Sequence, residues 1–227
     1  MTAPHRHFHD ELATLKDRLL QMSGQAHDAL QRAVHAVLDR DNAAAERVID
    51  EDPAIDALET EIEGMVTNLL ALHQPMARDL RLILAALKIS NDLERVGDHA
   101  VNISISVTRL MDYRMIAPEP ELVEMSRVAS EMVAQAIDAF VRGDAELGRS
   151  VCRRDDQVDA LHRSMFRILI THMAEDPHTI GAAMELFLVS RNLERVADLA
   201  TNIAEDVVFL VEGKSIKHGA ERQPKPE

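Results

Sequence analysis

The sequence predicts an all-α fold: two tandem, structurally similar three-helix bundles, six long helices in all, related by internal duplication. Three observations carry this. The stretch Asn91-Asp92-Leu93-Glu94-Arg95-Val96-Gly97-Asp98-His99-Ala100-Val101-Asn102-Ile103 recurs as Arg191-Asn192-Leu193-Glu194-Arg195-Val196-Ala197-Asp198-Leu199-Ala200-Thr201-Asn202-Ile203, so Leu-Glu-Arg-Val-x-Asp-x-Ala-x-Asn-Ile appears twice, 100 positions apart. A self-similarity of this kind sets the fold before any single element does. In both copies apolar or small residues alternate at spacings of four and three: Leu82, Ala86, Ile89, Leu93, Val96, Ala100, Ile103, Val107 and Leu110 in the first, and residues 182 to 210 in the second. That is the seam of a helix packed in a bundle, whereas a strand would alternate with a period of two. Composition agrees: 46% of residues are hydrophobic but only 3% aromatic, with eight Gly and eight Pro in 227 residues, so aliphatic side chains must fill the core.

The elements follow in order. Residues 1–9 (with His5, His7 and His9) read as a flexible polar end. A first helix is expected over about 10–40, with Leu12, Leu15, Leu19, Met22 and Ala26 on its apolar side. Asp41 or Asn42 can cap the next helix, expected over about 43–72. Pro53 lies inside it and should kink or break it near residues 50–52, because proline has no N–H to donate and clashes with the preceding turn. His73-Gln74-Pro75 turns the chain into the first motif helix, which runs to about Met111. The irregular stretch from Asp112 to Pro120 is the natural boundary between the halves. A fourth helix is expected over about 121–142, a fifth over 145–174, and the second motif helix to about Gly213. The domains are then a bundle over 10–112, a linker over 113–120, a bundle over 121–213, and a flexible polar tail over 214–227. Short turns make successive helices antiparallel neighbours.

The net charge of −14 repels nucleic acid, whose binding needs clustered Lys and Arg, and suits a soluble protein, a metal binder or a partner for a basic surface. Cys152 stands alone, so no disulfide forms within the chain; it reads as a packing residue. No stretch is apolar for long enough to span a bilayer. A cytoplasmic protein, at most peripheral to a membrane, is expected.

The charged residues of the motif sit off the apolar seam. Each residue turns the helix by about 100°, which puts Glu94, Asp98 and Asn102 on one polar stripe along its flank and back. Glu94 and Asp98 are four apart, hence neighbours that repel each other, and Glu194 and Asp198 repeat the arrangement. The middle helix of each half carries its own pair: Asp52 and Asp56 in the first, Asp155 and Asp159 in the second. If middle and last helices pack side by side, Asp52, Asp56, Glu94 and Asp98 converge into one acidic patch and Asp155, Asp159, Glu194 and Asp198 into another. Four carboxylates suit a hard or borderline cation such as Mg²⁺, Mn²⁺, Ca²⁺, Fe or Zn²⁺. Asn102 and Asn202 could add amide oxygens, and Glu59 and His162 lie one turn further along. The residues alone equally fit solvated faces whose acids form salt bridges to Arg95 and Arg195.

The duplicated motif, each copy preceded by an Asp-x-x-x-Asp helix, resembles the PhoU family of phosphate-transport accessory and regulatory proteins, over essentially residues 10–212. The resemblance implies two similar three-helix bundles and multinuclear clusters of divalent or trivalent metal (Fe, Zn, Mn or Mg), with the eight acids named above as ligands. It further implies a negative regulator of the phosphate-starvation response, coupling the ATPase subunit of a phosphate ABC transporter to a sensor histidine kinase; a homodimer is also expected. The copies differ where His99 corresponds to Leu199, Asn91 to Arg191 and Glu59 to His162, so the two sites need not be equivalent. The rival readings are a ferritin-like di-metal carboxylate enzyme and a metal-free helical adaptor. The enzyme is disfavoured because ferritin-like sites set Glu-x-x-His motifs in the bundle core, and neither motif helix has one.

Overall fold

The computed structural model describes residues 3–114, 116–117 and 119–217, with side chains from His7 onward. The described residues form seven α-helices: α1 (Ala3–Asp39), α2 (Asn42–Glu51), α3 (Pro53–His73), α4 (Ala77–Leu110), α5 (Pro120–Arg142), α6 (Ala145–Glu175) and α7 (Ile180–Glu212). Six rods were expected; the seventh arises because the second is cut at Asp52. Pro53 opens α3, where its missing N–H costs nothing. Asp41 caps α2, its carboxylate accepting the Ala44 N–H at 2.9 Å, and Asp144 caps α6 by accepting from Glu146 and Leu147. Gly143 and Gly213 end α5 and α7 in the left-handed conformation that glycine adopts without strain.

Two ends differ from the sequence reading. α1 begins at Ala3, ahead of the expected Asp10. The reason is local packing: the Phe8 ring lies 5.0 Å from that of His73, whose Nε2 is 2.6 Å from a Glu11 carboxylate oxygen, so the first turns are tied to the end of α3. At the other end, Lys217 reaches the buried Asp206 at 3.4 Å; the remainder of the expected tail, His218 included, lies outside the described residues.

α4 packs on α1, α2 and α3, and α7 packs on α5 and α6. The motif seam is the core: Leu93, Val96, Ala100, Ile103 and Val107 are fully buried, as are Leu193, Val196, Ala200, Ile203 and Val207. α4 and α7 also pack on each other, antiparallel, and join both halves into one continuous core. Arg81 Nε donates to the Leu210 carbonyl at 3.2 Å, Lys88 meets Asp206 at 3.3 Å, His99 Nδ1 faces Asn192 Oδ1 at 2.9 Å, and Arg109 reaches Glu185 at 3.8 Å. This register sets Val96 level with Val196, so an approximate two-fold axis relates the halves. A second stripe of small residues, Ser90, Gly97 and Ser104 on α4 and Ser190, Ala197 and Ala204 on α7, is buried as well. Small side chains let neighbouring backbones approach: a Cβ on Gly148 of α6 would lie 3.0 Å from the Ala204 carbonyl oxygen.

The linker is pinned too. Arg40 donates to the carbonyls of Leu110 and Tyr113, and the Tyr113 ring rests against Gly181 of α7, where a Cβ would stand.

Leu93 is fully buried at the centre of α4. Leu93→Ala should lower stability by about 2–5 kcal/mol through lost transfer energy and the cavity it leaves. Denaturant unfolding checks this, with a lower midpoint expected at an unchanged slope.

Candidate metal-binding surface

The break at Asp52 positions the first patch. It leaves Asp52 at the head of α3 with Asp56 one turn on, both beside α4. The Asp52 carboxylate rests on Gly97: a Cβ there would stand 3.0 Å from Asp52 Oδ1 and 3.1 Å from Ile55 Cδ1. The motif position that is glycine in the first copy is alanine in the second. A mid-helix glycine costs roughly 1 kcal/mol relative to alanine, and here it makes room for a carboxylate above the helix.

The four acids of the first patch lie within reach of one another's charge. Burial raises the Asp52 carboxyl above its ordinary range, and the charges of Asp56 and Asp98 raise it further. Glu94 is pushed up to about 7, first by burial, then by Asp98, Glu59, Asp56 and Asp52. Glu59 therefore belongs to the patch as a fifth carboxylate; its Oε1 also accepts from Asn91 at 3.3 Å. In the second half Asp155 is pushed up to about 6 by burial, then by Asp198, Asp159, Asp156 and Glu194. Both sets of predicted acids share a groove, α3 against α4 and α6 against α7.

The two patches differ in how their charge is balanced. Arg195 meets Asp198 at 2.9 Å and Glu194 at 3.5 Å, and Arg163 meets Asp159 at 3.5 Å. Among the described residues no ion pair involves Asp52, Asp56, Glu94 or Asp98. The first patch thus holds like charges without a basic partner, while the second is partly neutralised by arginine. Asn102 is exposed on the back of α4. Asn202 lines a crevice with Asp206 and Lys217. His162 is turned to α7, its Nδ1 3.1 Å from Ser190 Oγ and its ring stacked on Phe187. Among the described residues no three His, Cys, Asp or Glu side chains stand gathered as a metal-holding group. A cation would have to draw the acids inward by side-chain rotation from their half-buried and exposed positions.

The donor set is oxygen-only and in excess of local positive charge, which fits a hard or borderline cation. Between the patches the seam of α4 and α7 opens a crevice of about 270 Å³, lined by Arg95, His99, Arg195 and Asp198. Sequence reasoning did not single out Asp92 and Asp206, buried across this seam beside Lys88 and Lys217; burial and then Asp206 push Asp92 up to about 6. Their signal was an acid at a seam position next to an otherwise apolar stripe. Cys152 is as expected a packing residue, its thiol pushed up to about 11 by burial and so poorly nucleophilic. His73 and His172 are part-buried and hydrogen-bonded to Glu11 and Glu119.

Raised carboxyls set a pH dependence. Glu94 has an ordinary value of 4.5 and a folded value of about 7, so the folded state holds its proton more tightly than the unfolded one. Its contribution to stability is fully present below the ordinary value and lost as pH rises through the folded value. Metal-free protein should therefore melt at a lower temperature at pH 8 than at pH 5. Thermal melts of wild type and Glu94→Gln across this range check it, the variant showing a flatter profile.

Comparisons with known proteins agree with this architecture. The PhoU domain matches residues 19–107 and again 122–207. The phosphate-specific transport system accessory protein PhoU homolog of Zymomonas mobilis is 38% identical over 209 residues, 92% of this chain and 88% of that protein. The homolog from Pseudomonas aeruginosa is 37% identical over 215 residues, 93% of this chain and 88% of its own length. The crystal structure of PhoU from Pseudomonas aeruginosa superposes with a TM-score of 0.87 at 36% identity, covering 91% of this chain and all of that one. The phosphate transport system regulatory protein PhoU from Streptococcus pneumoniae gives a TM-score of 0.86 at 28% identity, covering 92% of this chain and 99% of that one. With the domain found twice, in the two halves that the repeated motif and the α4–α7 axis relate, the chain belongs to the PhoU family.

Proposed function

We propose that this protein is a non-enzymatic accessory and negative regulator of a phosphate transport system. In this reading its acidic grooves hold metal ions, and its surfaces link the transporter's ATPase subunit to a sensor histidine kinase. The relatives' shared description as phosphate-transport accessory proteins supports the first part. For metal binding, the observation that carries the reading is the twofold occurrence of converging carboxylates with raised affinity for protons. A site that raises carboxyl pKa by burial and then by mutual repulsion favours any cation that replaces those protons. Asp52, Asp56, Glu59, Glu94 and Asp98 would hold ions in the first groove, and Asp155, Asp159, Glu194 and Asp198 in the second, where arginine competes. A bound ion would neutralise and rigidify the groove; the reading assigns it no reaction. The ferritin-like alternative places its acids inside the bundle, whereas these lie in outer grooves. No helix of the described residues is long and apolar enough to cross a membrane, so contact with the transporter would be made from its surface. A homodimer is part of the same reading.

Two measurements test it. Glu94→Ala combined with Asp98→Ala should reduce the metal content of protein purified without a histidine tag and leave its helical circular dichroism nearly unchanged. An unaltered metal load would count against the first site. Deleting the gene should switch on phosphate-scavenging genes in phosphate-rich medium, as read by transcript levels; continued repression would remove the regulatory role.

A further inference from the structure

The second half carries an apolar and cationic groove whose α6 wall and Arg191 have no like counterparts in the first half; on the α7 wall, Ile180 and Met184 match the apolar Leu80 and Leu84. α6 and α7 run antiparallel, Cys152 beside Thr201, His162 beside Ser190 and the Phe166 ring 5.6 Å from that of Phe187. This register sets Ile170 level with Met184, with Ile180 at the groove's end. Phe166, Ile170, Ile180 and Met184 are 46–49% exposed, a concentration of large apolar side chains on one surface. Arg167 and Arg191 flank it, exposed and without an ion pair to any described residue; Arg163, one turn before Arg167, is already engaged by Asp159.

The duplication supplies an internal control. On α3, the positions matching Arg163, Phe166, Arg167 and Ile170 are Thr60, Glu63, Gly64 and Thr67, and Asn91 matches Arg191. The same bundle therefore folds with small or acidic residues at these places, so packing does not require Phe166, Ile170 or the arginines. Exposed Phe, Met and Arg side by side are the residue types that dominate protein interfaces.

We propose that the outer α6–α7 groove docks an acidic amphipathic helix of a partner protein. Its apolar stripe lies on Phe166, Ile170 and Met184, and its flanking carboxylates face Arg167 and Arg191. Charge complementarity selects this occupant in a chain whose net charge is −14. A helix lying on the end of this groove beyond Asp159 and Glu194 avoids the acids of the second patch, which an extended anionic bilayer would have to face. A second copy laid symmetrically on this surface would bring arginine against arginine. The partner's place in the cell rests on the regulatory reading above; the groove's chemistry does not.

The test uses the full chain and two synthetic helical peptides, each with leucines spaced three and four apart, one flanked by Glu and the other by Lys. Fluorescence anisotropy should show the Glu-flanked peptide binding and the Lys-flanked one binding at least about ten-fold more weakly. Phe166→Glu with Ile170→Thr, which installs the first half's residues, should weaken the Glu-flanked peptide by about ten-fold or more while the melting temperature holds. Equal affinity for both peptides, no binding at millimolar concentration, or no loss in the variant would overturn the proposal. So would phosphatidylglycerol vesicles binding through these residues in the peptide's place, or self-association that the variant abolishes. The peptide result stands whatever the deletion strain shows, so failure of the groove and failure of the regulatory reading are told apart.

Discussion

Repulsion between carboxylates held on adjoining helices is the constraint around which this protein is arranged. Each Glu-x-x-x-Asp pair costs its own helix roughly 0.2–0.5 kcal/mol, and facing it with a second pair compounds the cost. The scaffold tolerates this because the apolar seams of α4 and α7 are completely buried beneath the acids and hold both helices in place. Burial that fixes the rods thus also prevents the charges from moving apart, and the Glu94 carboxyl is raised first by its own burial and then by those neighbours.

The duplication then has two effects. Through the α4–α7 pairing it merges two bundles, each with little more than one core of its own, into a single larger core. It also frees the copies to diverge at exposed positions. The first groove keeps Gly97 beneath Asp52, a glutamate at position 59 and, among the described residues, no basic partner; the second carries alanine, histidine and arginine counter-charges. Affinity for cations should accordingly differ between grooves built on the same backbone. Phe166 and Ile170 of the second groove belong to the same divergence.

Much of this was legible in the residues. The four-three spacing located the buried seam, Pro53 the break and Asp41 the start of α2, because each is a local signal. The acids were legible as facing stripes, since helical geometry fixes direction from spacing alone. What escaped was set by contacts between distant segments. α1 starts early because Phe8 and Glu11 meet His73, sixty-odd residues away. α4 and α7 carry a second buried stripe because they pack on each other, and Asp92 and Asp206 acquire partners only through that pairing. His162 looked available to the second site, yet Ser190 and Phe187 hold it one turn away. The role of Gly97 is intermediate: a glycine in mid-helix was visible, but not the carboxylate above it.

The two outer grooves are proposed to trap cations. Anomalous diffraction from crystals grown with Fe or Zn salts tests it most directly. Peaks between α3 and α4 at Asp52, Asp56, Glu94 and Asp98, and weaker ones between α6 and α7, are the expected result. Crystals whose anomalous signal is absent from both grooves, with the acids turned to solvent, would contradict it.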